Sequence, residues 1–213
     1  MVTFSDSLPV WEISSALIML IGFFVSFKVT SISGVWEIIM EFGAGLGRDS
    51  IFFAKNLFHT TALDYSKAGI SIIDQKIKKQ NLTKYLSTKL FDVRKKLPFK
   101  DNSVEACYSH MLYCMALNNQ DLQNLNDEIL RILKPGGINI YTVRHTDDGD
   151  YENGIFRGED LYENDGFIVH YFSKEKIYSL LNGFSNILIE NFDEGSFPRK
   201  LFYVANMKNV INQ

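Results

Sequence analysis

Three glycines at alternate positions, Gly43, Gly45 and Gly47, stand where a strand-like stretch (VWEIIMEF, 35–42) gives way to a helix-like one from Arg48 to Asn56. Glycine tolerates backbone conformations closed to other residues, so such a loop lets the chain turn sharply and lets its backbone approach a ligand. A strand that ends on this turn and feeds a helix is the first half of a βαβ unit, and the sequence that follows repeats the alternation. TTALD makes a second strand ending at Asp64, and Ser66 caps a helix from Lys67 to Lys79. A third strand runs near Thr88 to Val93, and the turn LPFKDNS leads to a fourth, VEACYSHML, from Val104. Asp121 opens a helix with Leu122, Leu125, Ile129, Ile132 and Leu133 at helical spacing, stopped by Pro135-Gly136-Gly137; INIYTV from Ile138 is a fifth strand. The polar, acidic stretch 146–171 forms an excursion over the sheet edge that buries Phe156, Phe167 and Tyr171. A helix from Ser173 to Leu181 and two strands near 186–192 and 200–206, joined as a hairpin by GSFPR, close the chain. The class is α/β with a mostly parallel sheet.

With 213 residues, 46% of them hydrophobic, the chain can bury one substantial core and only marginally two, so a single domain over 1–213 is expected. The net charge is −3 and the Lys and Arg residues are scattered, which argues against a nucleic-acid partner. Cys107 and Cys114 have no CxxC spacing and no adjacent His pair, so they read as buried thiols of a reducing, cytoplasmic compartment, and no metal site is expected. Ile13 to Phe27 is an uncharged apolar run of fifteen residues, short of the roughly 20 that a membrane span needs. Asp6 and Glu12 precede it in place of the basic region of a signal peptide. It is expected to be a packed helix, with a membrane-associated helix as the alternative.

The glycine loop does not fit the better-known phosphate-binding spacings. A dinucleotide fingerprint needs glycines at 43, 45 and 48, but position 48 is Arg, and the Gly-Lys-Ser/Thr of a Walker loop is absent. Amides at the helix start would favour an anionic group. The pattern E-x-G-x-G-x-G over Glu41 to Gly47 resembles instead the first motif of class I S-adenosylmethionine-dependent methyltransferases. The resemblance continues in order through ALDYS (62–66), FDVRKKLPFKDNSVEACYSH (91–110) and EILRILKPGGINIYTV (128–143). It covers residues 35 to 145, and the closing region is similar to small archaeal and bacterial members near the tellurite-resistance type. Glu41-Phe42 stands where the family more often has Asp-Leu.

The resemblance implies a Rossmann-like, doubly wound, seven-stranded sheet with its last strand antiparallel, and S-adenosyl-L-methionine as cofactor. It divides the chain into an N-terminal apolar helical cap (1–34), a cofactor-binding core (35–145), a lid-like excursion (146–172) and a closing helix and hairpin (173–213). The implied cofactor-binding residues are Glu41, Gly43, Ala44, Gly45, Gly47, Asp64, Tyr65, Asp92, Val93 and Ser109. Among them Asp64 would accept from the ribose hydroxyls and Asp92 from the adenine amino group. The implied activity is transfer of a methyl group to a small-molecule acceptor by direct in-line displacement. Alternatives are a non-catalytic S-adenosylmethionine-binding module and a membrane-associated enzyme acting on a lipid or quinone-like acceptor. Where the acceptor must lose a proton, His110 and His170 are the candidate catalytic groups, His145 a further one, with Tyr113, Arg144 and Arg157 as candidate substrate clamps.

Overall fold

The computed structural model describes residues 38–195 and 199–210. The apolar run 13–27 and the whole of the expected cap 1–34 lie outside the described residues, as does the middle of GSFPR. The first strand, β1 (Ile38–Phe42), alternates its side chains: Met40 and Phe42 enter one core, while Ile39 enters the other beside Phe53 and Tyr108. Helix α1 (Arg48–Lys55) follows the glycine loop, and then come β2 (His59–Asp64) and α2 (Lys67–Lys79). Ser66 caps α2 as expected, its hydroxyl accepting from the Gly69 amide at 3.2 Å, and Ile73 and Ile77 bury the helix against β2 and β3 (Leu86–Leu90).

After β3 a loop leads to β4 (Val104–His110), and helix α3 (Asn119–Ile132) begins on a capping box in which Asn118, rather than Asp121, is the cap. The Asp121 carboxylate answers from the third helical position, accepting from the Asn118 amide. Leu122, Leu125, Ile129 and Ile132 form the buried stripe of α3, each contributing about 1.5–3 kcal/mol on full burial. The helix stops at Ile132, earlier than the Pro-Gly-Gly turn. Leu133 takes an extended conformation, and KPGG lies within β5 (Leu133–His145), where the register between β4 and β5 jumps from Val104↔Leu133 to Ala106↔Ile138. The motif is therefore a bulge at the strand's start, not the helix stop.

The main sheet runs β3-β2-β1-β4-β5-β10-β9, with β9 (Phe184–Glu194) and β10 (Arg199–Lys208) forming the closing hairpin. The first five strands are parallel and β10 is antiparallel to both its neighbours, as the resemblance implied. The excursion is a meander of β6 (Ile155–Gly158), β7 (Leu161–Asn164) and β8 (Phe167–Phe172), followed by the short helix α4 (Lys174–Ser179). Its attachment has a simple geometric cause. Met111 adopts φ 61 and turns the chain away at the end of β4, leaving one edge of β5 uncovered beyond Thr142. There β8 pairs in parallel with Arg144 and His145, while β10 holds the opposite edge. Among the described residues, no helix is long and apolar enough to cross a membrane.

Candidate functional site

The C-terminal ends of β1, β2 and β3 converge on a cavity of about 200 Å³. Gly43, Asp64, Tyr65, Asp92 and Val93 of the expected set line it, and Phe91, Leu112 and Leu117 supply apolar wall. The loop between β1 and α1 reaches this place by three left-handed residues, Gly43 (φ 70), Gly45 (φ 55) and Gly47 (φ 77). A side chain at Gly47 would put its Cβ 2.7 Å from Ile73 Cγ1, and one at Gly69 would put its Cβ 2.6 Å from the Gly45 carbonyl oxygen. Loop and helix α2 thus meet backbone to backbone, a contact that only glycine permits.

The loop does not present its amides to a ligand in the way a phosphate cradle does. The amides of Gly43 and Ala44 donate to the Leu63 carbonyl at 2.8 and 3.1 Å, that of Gly47 to the Ala44 carbonyl at 2.8 Å, and that of Gly45 to Asp64 Oδ2 at 2.7 Å. Those four loop amides are engaged within the protein, and a carboxylate stands beside the cavity. Asp64 Oδ1 also accepts from the Ser66 amide at 2.8 Å. Each oxygen keeps a further lone pair for a hydroxyl donor, and the backbone bonds fix the direction in which it is offered.

Asp92 lies beyond the end of β3, not within the strand as expected. The Arg94 guanidinium grips it as a fork, Nε to Oδ1 at 2.9 Å and Nη2 to Oδ2 at 2.7 Å, and holds its carboxyl below the usual carboxylate range. Tyr65 is 77% exposed at the cavity mouth. The loop carrying Asp92 is fastened from behind. Arg131 of α3 donates to the carbonyls of Leu97 and Phe99 and pairs with Asp101 and Glu128, while Glu128 accepts from the Leu97 amide at 2.7 Å. The LPFKD stretch is thus a strap buckled to α3.

Other expected residues sit elsewhere. Glu41 faces α1 and accepts from the Ser50 hydroxyl; burial, with Asp49 nearby, pushes its carboxyl well above the usual range. Ala44 is packed beneath the loop against Ile73. Ser109 is buried at the end of β4, and its hydroxyl has no hydrogen-bond partner among the described residues. His110 sits between Thr142 Oγ1, 2.9 Å from Nδ1, and Glu194 Oε2, 3.5 Å from Nε2, so both ring nitrogens face protein groups. His170 is fully buried in the excursion and does not line the cavity.

The candidate clamps are also engaged. Arg144 is buried in ion pairs with Asp148 and Asp150, Arg157 pairs with Glu163, and Tyr113 is buried in a stack on Tyr141. His145 accepts from the Asp147 amide at 2.7 Å and packs on Phe202. Sequence reasoning missed Arg94 and the wall at 112–117. Arg94 was visible as the basic residue two after Asp92; the wall was hidden because MLYCMAL reads as the end of an apolar strand. No cluster of His, Cys, Asp and Glu among the described residues could hold a metal ion.

Residues 39–137 match a family model described as a methyltransferase domain. Over 105 residues the chain is 35% identical to phosphoethanolamine N-methyltransferase 1 of Triticum aestivum. That stretch is 46% of this chain, and the chain spans only 20% of the wheat enzyme's length. The structure superposes on an S-adenosylmethionine-dependent methyltransferase from Methanosarcina mazei with a TM-score of 0.72 and 17% identity, covering 83% of this chain and 95% of that one. It superposes on the [4+2]-cyclase SpnF with a TM-score of 0.67 and 15% identity, covering 89% and 81%. At such identities the two structures speak to the fold alone.

Proposed function

We propose that this chain carries a class I S-adenosylmethionine-dependent methyltransferase domain and transfers a methyl group to a small-molecule acceptor by direct in-line displacement. The observation that carries the reading is the meeting of Gly43, Asp64 and Asp92 at one cavity, from the ends of three successive parallel strands. Open α/β sheets place their ligands at strand C-terminal ends. The residues suit a nucleoside: two carboxylates for hydroxyl and amino donors, apolar walls for a base, and a glycine at the point of closest approach.

In this reading Asp64, steadied by the amides of Gly45 and Ser66, accepts from the ribose hydroxyls, and Asp92 accepts from the adenine amino group. Tyr65 and Val93 flank the base, and Phe91, Leu112 and Leu117 keep water from it. Glu41, Ala44, Gly45 and Gly47 shape the loop from beneath. Ser109 closes the end of β4 toward the methionine portion. Bound S-adenosylmethionine supplies an electrophilic methyl and a thioether leaving group, so the protein's contribution is mainly alignment and exclusion of water. His110, held between Thr142 and Glu194 and absent from the cavity lining, is not positioned to take an acceptor's proton. We read residues 1–213 as one domain of a cytoplasmic enzyme, a placement supported by the two buried free thiols, Cys107 and Cys114.

A second reading is a module that binds S-adenosylmethionine without transferring its methyl group. The likeness to a cyclase favours keeping it, because one fold hosts several chemistries. Incubation with methyl-labelled S-adenosylmethionine and a panel of amine, hydroxyl and thiol acceptors tests the choice. The enzyme reading expects S-adenosylhomocysteine and labelled product in equal amounts with at least one acceptor; binding without turnover across the panel would leave only the module.

A further inference from the structure

The buried histidine of the excursion touches the cavity indirectly. His170 Nδ1 lies 2.7 Å from the carbonyl oxygen of Leu117, a residue of the cavity wall, and Nε2 lies 2.7 Å from Lys176 Nζ on α4. A carbonyl only accepts and an ammonium only donates. The ring is therefore neutral, with its proton on Nδ1 and its lone pair turned to the lysine. Lys176 also donates to Asp160 Oδ2 at 2.8 Å and to the Glu159 carbonyl at 2.7 Å.

The turn between β6 and β7 that carries those acceptors is strained. Glu159 (φ 56) and Asp160 (φ 64) are consecutive non-glycine residues in the left-handed region, and such residues persist only where their surroundings over-determine them. What determines them is visible. The Glu159 carboxylate accepts from the Asn119 amide at 2.6 Å, and Asp160 accepts from Lys176 and from the Tyr151 hydroxyl. The segment 115–119 is thus tied to the excursion twice, at Leu117 through His170 and at Asn119 through Glu159.

Resting on the cofactor reading above, we propose that His170 is a positioning residue: with Lys176 it fixes the Leu112–Leu117 wall and so couples the excursion to cofactor affinity. Protonation of the ring would replace its lone pair with a donor facing an ammonium, and the strut would open. The charged groups facing the ring are Lys176, Asp160 and Glu159, and burial followed by Lys176 holds its pKa below the ordinary value. The neutral ring belongs to the closed wall, and the opened wall takes up a proton near the ordinary histidine pKa of about 6.5. Closure is therefore complete above that pH and is lost as pH falls below it.

S-adenosylhomocysteine binding measured by calorimetry between pH 5.5 and 8 on the wild type, His170→Gln and Lys176→Met tests the proposal, with thermal melts establishing that each is folded. The wild type should bind roughly three- to tenfold more weakly at pH 5.5 than at 7.5, the span that release of one proton allows. His170→Gln, whose amide can still donate to Leu117 and accept from Lys176, should bind with the same affinity across that range. Lys176→Met should bind more weakly than wild type at pH 7.5. A flat wild-type profile, or a His170→Gln profile that still falls with acid, would overturn the proposal while leaving the cofactor reading intact. Absence of binding by folded wild type at every pH would remove the cofactor reading itself.

Discussion

Along the rim over β1 to β3, Asp64 and Asp92 hold their carboxylates against a cavity, whereas at and beyond the end of β5 Arg144, Asp148, Lys176 and Asp160 turn their charges inward on one another. Both regions are rich in charge and both follow strand ends. They differ in what fixes the charged groups. At the first, backbone amides and a neighbouring guanidinium orient acids that keep free lone pairs; at the second, each charge is matched by an opposite one and little is left to offer a ligand. The contrast teaches that an acid after a strand marks a binding site only when its partners leave it something to accept.

Breaking the Arg144–Asp148 pair should have the largest effect, and on stability alone. Arg144→Met leaves Asp148 buried without its partner, a loss of about 3–5 kcal/mol in denaturant unfolding, with nucleoside affinity of the remaining folded protein unchanged. An affinity loss without a stability loss would erase the distinction between the two regions. Gly69→Ala attacks the other side. Its Cβ would press on the Gly45 carbonyl, so it should cost about 1–3 kcal/mol of stability and also displace the loop, visible as a drop in S-adenosylhomocysteine affinity.

Glu41 gives a prediction through pH. Its pKa is raised in the folded state, so the neutral form contributes stability at acid pH that is lost as pH rises above the unfolded value of about 4.5, by up to about 1.4 kcal/mol per pH unit. Glu41→Gln should therefore flatten the stability profile above pH 5 and raise the midpoint of thermal unfolding at pH 7; a lower midpoint there would mean that the buried carboxylate is ionised. Arg157→Ala, which removes an exposed pair with Glu163, should change stability by less than about 1 kcal/mol and leave binding untouched.

The cavity side was legible because it is local in sequence. The glycine loop, Asp64 at the end of β2 and the acid after β3 stand at strand ends that periodicity locates, and the cap at Ser66 follows from residue type. The excursion was legible only as a polar segment, and of the three aromatics expected to be buried there Tyr171 is buried while Phe156 and Phe167 are exposed. Its strands depend on β4 turning away at Met111 and exposing an edge of β5, and nothing in VEACYSHML signals that turn. His170 illustrates the same limit. As a lone histidine near acids it resembles a base, and only the carbonyl of Leu117, 53 positions away, makes it a strut. Glu194 was hidden likewise, since it meets His110 across the closing hairpin.

Calorimetry with S-adenosylhomocysteine on the wild type and on Asp64→Ala most directly tests whether these strand ends form a nucleoside site. Binding in the wild type, weakened by about 1–3 kcal/mol in Asp64→Ala, is the expected result for loss of a hydrogen-bond acceptor fixed by Gly45 and Ser66. Equal affinity in the two folded proteins would contradict the ribose assignment, and with it the claim that this rim is built to receive the cofactor.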